Sequence, residues 1–341
     1  MRFLKQMIIC PYCLECVYAK KAAPICPICS KDIPVAIFGS KNIRISTIGT
    51  NACAGKSTYI ATMISELMKA LGSPLSLNPL DEKTKKLQQE HHKLLYKDLM
   101  PLPATIPCFP EPQIWSIEKV SQDHIYKRLP LCTFTIYDGA GEIYYDIDAS
   151  NPLLNDAHTC DAMIFVIDPL DFSEIISDGY VSKEIAQMSR AGSNVWSEVV
   201  HAEGIVNDIA RYLRFVNQKK YTMNTSIEIP VAVIISKFDV VCNHPLFGNN
   251  PIVRNPSTNT KFSKVNMSEI NEVHCEIEDW LIAINEHALT NALKANFPNH
   301  KFFGISNYGQ PPKDDGTLNK PNPHRVLDPI LWLFKNKEFI D

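Results

Sequence analysis

No run of apolar residues in this sequence approaches the roughly 18–20 positions that a membrane-spanning helix requires. The longest apolar runs, such as Ala162–Ile167 and Val231–Ile235, have the length of single β-strands. The start of the chain, Met1 to Cys10, also lacks the apolar core and the small-residue cleavage site of a secretory leader. We therefore expect a cytoplasmic protein without a membrane span.

An excess of basic residues is also missing, because 34 lysines and arginines stand against 37 aspartates and glutamates and give a net charge of −3. Proteins that bind DNA or RNA regardless of sequence usually carry a basic surface, so a nucleic-acid partner is not expected. The sequence contains neither internal repeats nor long low-complexity segments. Its 341 residues, 45% of them apolar, suffice for a large globular core and one small module.

Cysteine is abundant near the N-terminus, where five of the eleven cysteines fall within the first 29 residues. In a reducing compartment these cysteines are not expected to form disulfides. Cys10-Pro-Tyr-Cys13 and Cys26-Pro-Ile-Cys29 are two C-x-x-C knuckles separated by twelve residues. Two tight turns that each present two thiolates provide the tetrahedral sulfur set that Zn²⁺ prefers. We therefore predict a closed, structural Zn²⁺ site that folds a small zinc ribbon over residues 1–38.

Two alternatives concern the same cysteines. Cys16 is a spare thiol that could replace Cys13 as a ligand. A redox-active C-x-x-C pair is disfavoured, because neither pair lies between a strand and the helix of a βαβ unit.

The remaining chain, residues 39–341, alternates between short β-branched runs and helical stretches. The runs are continuous rather than alternating, as in strands buried on both faces of a parallel sheet: Ile43–Ile48, Cys132–Tyr137, Ala162–Ile167, Val231–Ile235 and Lys301–Ile305. The expected helices are Lys56–Leu71, Glu82–Leu99, Val195–Asn217, Ser268–Asn296 and about Pro323–Lys335. This alternation predicts an α/β domain with a mainly parallel sheet that is flanked by helices and interrupted by insertions.

A small-residue loop and Gly-Lys-Ser connect the first of these strands to a helix, which is the order of a P-loop. The candidate nucleotide-binding residues are Gly49, Thr50, Asn51, Ala52, Cys53, Ala54, Gly55, Lys56, Ser57 and Thr58. Backbone N–H groups and the helix N-terminus favour phosphate at such a loop. Lys56 is expected to reach the β- and γ-phosphates, and Ser57 is expected to ligate Mg²⁺. Thr50 stands where a first glycine is usual, so either the loop starts at Gly49 and is longer, or Thr50 fills the first turn.

Asp138-Gly-Ala-Gly141-Glu142 follows the second strand and matches the Asp-x-x-Gly signature of nucleotide hydrolases. Asp138 is expected to hold Mg²⁺ through water, and the N–H of Gly141 to sense the γ-phosphate. The carboxyl ends of parallel strands share one edge of a sheet, where ligand loops gather. The sequence therefore places this segment beside the phosphate loop.

Ser236-Lys237-Phe-Asp239 follows another strand and resembles the Asn/Thr-Lys-x-Asp motif that reads guanine. Asp239 can accept hydrogen bonds from N1–H and the exocyclic amine of guanine, whereas adenine offers neither donor, so the discrimination is strong. Lys237 is expected to lie along the base, and Ser236 keeps a hydroxyl where Asn or Thr is usual. Ser306 and Asn307 are candidates for the loop whose backbone N–H reads guanine O6, although a plain strand end is an alternative interpretation.

These segments occur in the order found in translation-factor-related GTPases, the class that includes Ras-like proteins, and the resemblance spans about Ile43 to Asn307. Within that class the chain resembles the bacterial double-GTPase group of predicted conflict systems, in which an N-terminal zinc ribbon and a Leu-Pro-x-Thr segment are common. Here that segment is Leu102-Pro-Ala-Thr105. The resemblance implies a Ras-like P-loop fold, GTP/GDP, Mg²⁺ and Zn²⁺ as cofactors, Thr105 as a switch threonine that contacts Mg²⁺ and the γ-phosphate, and a role in antiviral defence.

Hydrolysis is expected to be slow without a partner. Glu142 replaces the water-orienting glutamine that follows this glycine in Ras-like proteins, and no arginine lies within the motifs. Phosphoryl transfer depends on positioning and charge neutralisation, in which an arginine supplied by a partner can act. We expect a protein partner at the switch loops, for which a second GTPase is a candidate.

Three other functions compete with a GTPase switch. The first is an NTPase whose zinc ribbon reads nucleic acid, against which the acidic charge balance argues. The second is a scaffold that binds nucleotide without hydrolysing it. The third is an ATPase, because the preference for guanine depends largely on Asp239.

Overall fold

The computed structural model shows a mixed β-sheet with helices on both faces and a two-stranded ribbon beside it. It describes residues 5–51, 53–103, 111–120, 128–139, 154–177, 179–181, 201–218, 220–222, 225–311, 313 and 316–340. No helix in these ranges is both long and apolar enough to cross a membrane.

The described strands and helices follow the alternation expected from the sequence. The strands are β1 Gln6–Ile9, β2 Cys16–Ala19, β3 Lys41–Gly49, β4 Leu75–Pro79, β5 Pro112–Val120, β6 Arg128–Asp138, β7 Ala162–Ile167, β8 Val231–Ile235 and β9 His300–Gly304. The helices are α1 Lys56–Leu71, α2 Glu82–Lys93, α3 Asn155–Thr159, α4 Ser173–Ser177, α5 Ala202–Val216, α6 Phe238–Val241, α7 Met267–Ala283, α8 His287–Asn296 and α9 Asp328–Asn336.

Within the described residues, the main sheet has seven strands in the order β4-β5-β6-β3-β7-β8-β9. The five strands from β6 to β9 run parallel, whereas β5 is antiparallel to both β4 and β6. The loops that follow β3, β6, β7, β8 and β9 therefore share one edge, which is where an α/β sheet binds ligands. The expected fold of a mainly parallel sheet flanked by helices is confirmed.

The sheet separates two hydrophobic cores, and β7 contributes to both. Met163 and Phe165 point into the core that contains α5, α7 and α8, whereas Ile164 and Val166 point into the core that contains α1 and α9. Successive side chains of a strand point to opposite faces. This is why a strand between two helical layers is a continuous apolar run rather than an alternating one.

Two helices and two strands differ from expectation. The expected helix Ser268–Asn296 is interrupted between α7 and α8, where Asn285 takes a left-handed φ of 64°. The expected helix Glu82–Leu99 changes after Lys93 into a π-helical turn, Leu94–Asp98. The antiparallel strands β4 and β5 were not expected. The expected helix Val195–Asn217 is observed as α5, and its first residues lie outside the described ranges.

Both edge strands of the described main sheet are short, and each has one backbone group that cannot pair with a further strand. β4 ends at Pro79, which has no N–H to donate. On β9, the N–H of Phe302 donates to Nδ1 of His274 on α7 at 3.2 Å. Burial lowers the pKa of His274 to about 3, and the positive charge of nearby Lys301 contributes to the same shift. The ring of His274 is therefore neutral and can accept this hydrogen bond.

Candidate functional site

The phosphate loop folds closely against the side chain of Lys56. A Cβ atom built on Gly49 would lie 2.9 Å from Cδ and 3.0 Å from Nζ of this lysine. Lys56 is only 3% exposed, and its Nζ donates to the carbonyl of Asn51 at 3.3 Å. This close approach at Gly49 supports a loop that starts one residue earlier than usual.

Thr50 and Asn51 attach the phosphate loop to the segment that follows β7. Thr50 donates its N–H to the carbonyl of Val166 at 3.0 Å, and its hydroxyl accepts from the N–H of Asp168 at 3.3 Å. Asn51 Nδ2 donates to Asp171 Oδ2 at 2.7 Å. The shape of the loop therefore depends on a neighbouring strand as well as on its own sequence.

Lys56, Ser57 and Asp138 meet at the carboxyl ends of β3 and β6, which are parallel neighbours. The Ser57 side chain hydrogen-bonds the Asp138 carboxyl group. Oδ1 of Asp138 is buried and has no hydrogen-bond partner within the described part of the chain. Burial raises the pKa of Asp138, and the charge of Lys56 and the Ser57 hydrogen bond oppose that rise.

The residues at this point fit a small divalent cation. A carboxylate oxygen without a partner lies beside a serine hydroxyl, and both are the hard oxygen ligands that Mg²⁺ prefers. A cation there would also offset the cost of a buried carboxylate.

On the other side of the phosphate loop, Lys237 and Asp239 follow β8. Lys237 has a left-handed backbone with φ 47°, and its Nζ lies 2.6 Å from Oδ2 of Asp168, which is fully buried. The Asp239 carboxyl group is hydrogen-bonded to the Ser306 side chain. Burial raises the pKa of Asp239, whereas Ser306, Lys237 and His324 lower it. The base-reading candidates of the two loops are therefore in direct contact.

Ser236 and Asn307 take different positions in this region. The Ser236 hydroxyl donates to the carbonyl of Ile167 at 3.0 Å, and the residue is fully buried, so it joins β8 to β7. Asn307 Nδ2 lies 3.8 Å from a Cβ atom built on Gly55 in the phosphate loop. The next residue, Tyr308, is hydrogen-bonded to the Thr58 side chain. The loop after β9 thus contacts both the candidate base-reading segment and the candidate phosphate loop.

A cleft of about 560 Å³ opens beside Asp239 and Ser306. It extends along the second half of α1, past Lys69, and Phe238 and His324 form part of its wall. Among the described residues, its lining includes none of the phosphate loop. The cleft therefore adjoins the base end of the site.

Four candidate residues lie outside the described ranges: Ala52 in the phosphate loop, the switch candidate Thr105, and Gly141 and Glu142 after Asp138.

The four cysteines of the two knuckles form a compact sulfur cluster. All four Sγ atoms of Cys10, Cys13, Cys26 and Cys29 lie within 4.8 Å of one another. The Cys10–Cys29 and Cys13–Cys26 Sγ distances are 3.8 and 3.7 Å. A tetrahedron with ~2.3 Å Zn–S bonds has S···S edges of about 3.8 Å, so this cluster fits Zn²⁺.

The two knuckles repeat the same backbone geometry. The residue after each second cysteine, Leu14 or Ser30, has a left-handed φ of 62° or 59°. Its N–H donates to the carbonyl of the first cysteine of that knuckle, at 2.9 or 3.0 Å. Cys16 is exposed at the start of β2 and is not in the cluster, so Cys13 is the fourth member of the set.

Asp168, Asp171 and Tyr137 were not singled out from the sequence. Asp168 and Asp171 contact loops of the candidate site, and Tyr137 immediately precedes Asp138. An aspartate soon after a buried strand is a weak indication of such a role, and a tyrosine inside a strand gives none.

Comparison with known proteins adds little to this description. Neither a protein-family model nor a curated protein matches the sequence. Among solved structures, the Arl6 BBS3 small GTPase from Trypanosoma brucei with bound GppNp aligns over 88% of this chain and 100% of its own, at 11% identity and a TM-score of 0.33. Sup35 complexed with GDP aligns over 79% of this chain and 38% of its own, at 12% identity and a TM-score of 0.26. The assignment of the fold therefore depends on the strand order and the loops described above.

Proposed function

We propose that this protein is a switch that binds GTP and GDP with Mg²⁺ and hydrolyses GTP slowly. The observation that carries the proposal is the meeting of Lys56, Ser57 and Asp138 at the carboxyl edge of a parallel sheet. Asp239 and Ser306 contact each other at the same edge. One edge of the sheet thus brings together the groups that would bind phosphate, a cation and the base.

Each group has a role that follows from its chemistry. Lys56 and the N–H groups of the loop would neutralise the β- and γ-phosphates. Ser57 and Asp138 would hold Mg²⁺, which neutralises phosphate oxygens when it is bound. The Asp239 carboxylate would accept hydrogen bonds from the N1–H and the amine of guanine, and Lys237 would lie along the base.

In the proposed reaction, water attacks the γ-phosphorus and the bond to the β–γ bridging oxygen breaks, which yields GDP and phosphate. Following the family resemblance, we assign closure over the γ-phosphate to Thr105 and Gly141, and orientation of water to Glu142. The motifs contain no arginine, so we expect slow turnover that a protein partner accelerates. A second GTPase and a role in antiviral defence are the partner and the setting that the resemblance suggests.

The Cys₄ cluster would hold a structural Zn²⁺. Four thiolates fill a tetrahedral site, so no position remains open for catalysis. Its proposed role is to fold the ribbon, whose core is formed by a few apolar residues such as Val17 and Ile33.

The first experiment measures binding of labelled GTP and ATP to the purified protein with Mg²⁺, followed by release of phosphate over hours. GTP-selective binding and slow phosphate release, with release abolished in Lys56→Ala, are expected.

Asp239→Asn should shift the preference from GTP to XTP, because the amide offers a donor to the xanthine oxygen. Equal binding of ATP and GTP, or an unchanged base preference in Asp239→Asn, would refute the guanine assignment. Phosphate release at multiple turnovers per second without a partner would refute slow hydrolysis.

A further inference from the structure

The first cysteine knuckle of the ribbon contacts the strand that carries Asp138. Tyr137 on β6 donates its hydroxyl hydrogen bond to the carbonyl of Pro11 at 3.0 Å. Pro11 lies inside the knuckle, between Cys10 and Cys13. Both Tyr137 and Pro11 are buried, so water cannot replace the bond if it is lost.

Tyr137 and Asp138 are held on opposite faces of the same strand end. Neighbouring residues of a β-strand point to opposite faces. The Tyr137 side chain is hydrogen-bonded to the ribbon. The Asp138 side chain is hydrogen-bonded to Ser57 and interacts electrostatically with Lys56. The backbone that positions the Asp138 carboxyl group is therefore fixed partly by the cysteine knuckle.

The ribbon does not depend on Tyr137 alone for its position. Tyr12, in the same knuckle, donates to Asp81 Oδ2 at 3.1 Å, and Asp81 Oδ1 accepts from the N–H of Thr84 to cap α2. Ile114 of β5 packs within the core of the ribbon. Loss of the Tyr137 hydroxyl should therefore leave the ribbon attached to the domain. It should remove only the hydrogen bond between the ribbon and the end of β6.

We propose that Tyr137 is a positioning residue for the cation-binding carboxylate of Asp138, and that the metal-filled Cys₄ knuckle fixes Tyr137 in place. This inference rests on the function proposed above. Because linkage between two sites is reciprocal, zinc in the ribbon strengthens binding of the Mg²⁺–nucleotide pair, and Mg²⁺–nucleotide strengthens binding of zinc.

The first test is Tyr137→Phe, which keeps the ring and removes the hydroxyl. The Mg²⁺ concentration for half-maximal GTP binding should rise about five-fold, the effect expected for one buried hydrogen bond. GTP affinity in buffer without added Mg²⁺ should stay unchanged. The matched control is Tyr212→Phe, because Tyr212 is also buried and donates to a backbone carbonyl, that of Leu154 at 3.3 Å. The control should lose some thermal stability but keep its Mg²⁺ dependence. An equal loss of stability in both variants with no Mg²⁺ shift in Tyr137→Phe would overturn the positioning role.

The second test measures the equilibrium affinity for zinc by competition with a chromogenic chelator. With Mg²⁺ and a non-hydrolysable GTP analogue, the wild-type protein should hold zinc about five-fold more tightly. This gain should vanish in Tyr137→Phe and persist in Tyr212→Phe. If the wild-type protein binds nucleotide but zinc affinity does not change, the linkage is wrong and the proposed function stands. If it binds no nucleotide, the proposed function and the linkage both fail.

Discussion

At the residue scale, the contact between Lys237 and Asp168 fixes the lysine that is proposed to lie along the base. Asp168 is fully buried, while 21% of the Lys237 side chain is exposed. The N–H of Asp168 also donates to Thr50 in the phosphate loop. One buried aspartate thus supports both the loop that would bind phosphate and the lysine that would lie along the base.

Replacing Asp168 with Asn should weaken GTP binding about ten-fold, because Lys237 loses its buried counter-charge while the backbone bond to Thr50 is retained. Equilibrium binding of a fluorescent GTP analogue measures the effect. The matched control is Asp161→Asn, which breaks an ion pair with Arg44 of 2.7 Å at the start of β7, away from the nucleotide loops. If both variants lose the same affinity for GTP, the loss does not come from the contact between Asp168 and Lys237.

Residues of the site differ in how far the sequence reveals them. Lys56, Asp138 and Asp239 were predicted as site residues because each lies in a short motif at the end of a β-branched strand. Asp168 and Tyr137 were not, because their partners Lys237 and Pro11 are 69 and 126 residues away. Contacts over such separations are set by the strand order, which no local pattern encodes.

At the scale of secondary-structure elements, the break between α7 and α8 has a local cause. Asn285 has a φ of 64° and donates its N–H to the carbonyl of Ile282, while Glu286 donates to the carbonyl of Leu281. These two bonds form a Schellman motif, which ends a helix. Asparagine tolerates a left-handed backbone conformation better than most residues do. Asn285 was therefore the feature of the sequence that could have indicated the end of a helix at this point.

Replacing Asn285 with Ala should lower the free energy of unfolding by about 1 kcal/mol, because alanine is strained in the left-handed region. Asn285→Gly should be close to neutral, since glycine adopts this conformation freely. Urea denaturation measures both variants. As a control, Asn291→Ala on the exposed face of α8 should raise stability by about 0.5 kcal/mol through helix propensity. Equal destabilisation by Ala and Gly at position 285 would assign the effect to the side chain instead.

At the scale of the whole molecule, the ribbon and the sheet share a hydrophobic cluster. Ile114 of β5 packs with ribbon residues that include Ile8, Val17 and Phe38. The sequence predicted the cysteine set and the parallel sheet separately, because each has a local pattern. It did not show that the ribbon packs on β5 and β6, since docking depends on surfaces formed only after both parts fold.

Because of this shared cluster, the ribbon and the main sheet should unfold together in one calorimetric transition. Cys13→Ser, which removes one sulfur from the cluster, should lower the midpoint of that transition by more than about 5 °C. Cys16→Ser makes the same change at an exposed cysteine outside the cluster and should leave the midpoint unchanged. Two separate transitions in the wild-type protein, with only the smaller one affected by Cys13→Ser, would contradict this expectation.

The edge strands of the main sheet affect whether copies of this molecule can associate by strand addition at high concentration. A sheet with free edge groups can add a strand from another copy and continue into a fibre. Here Pro79 removes a donor at one edge, and at the other His274 takes the N–H of Phe302. Since the pKa of His274 is about 3, its ring remains an acceptor well into the acidic range. At mildly acidic pH, the protein should therefore keep one backbone group at each edge unavailable to a strand from another copy.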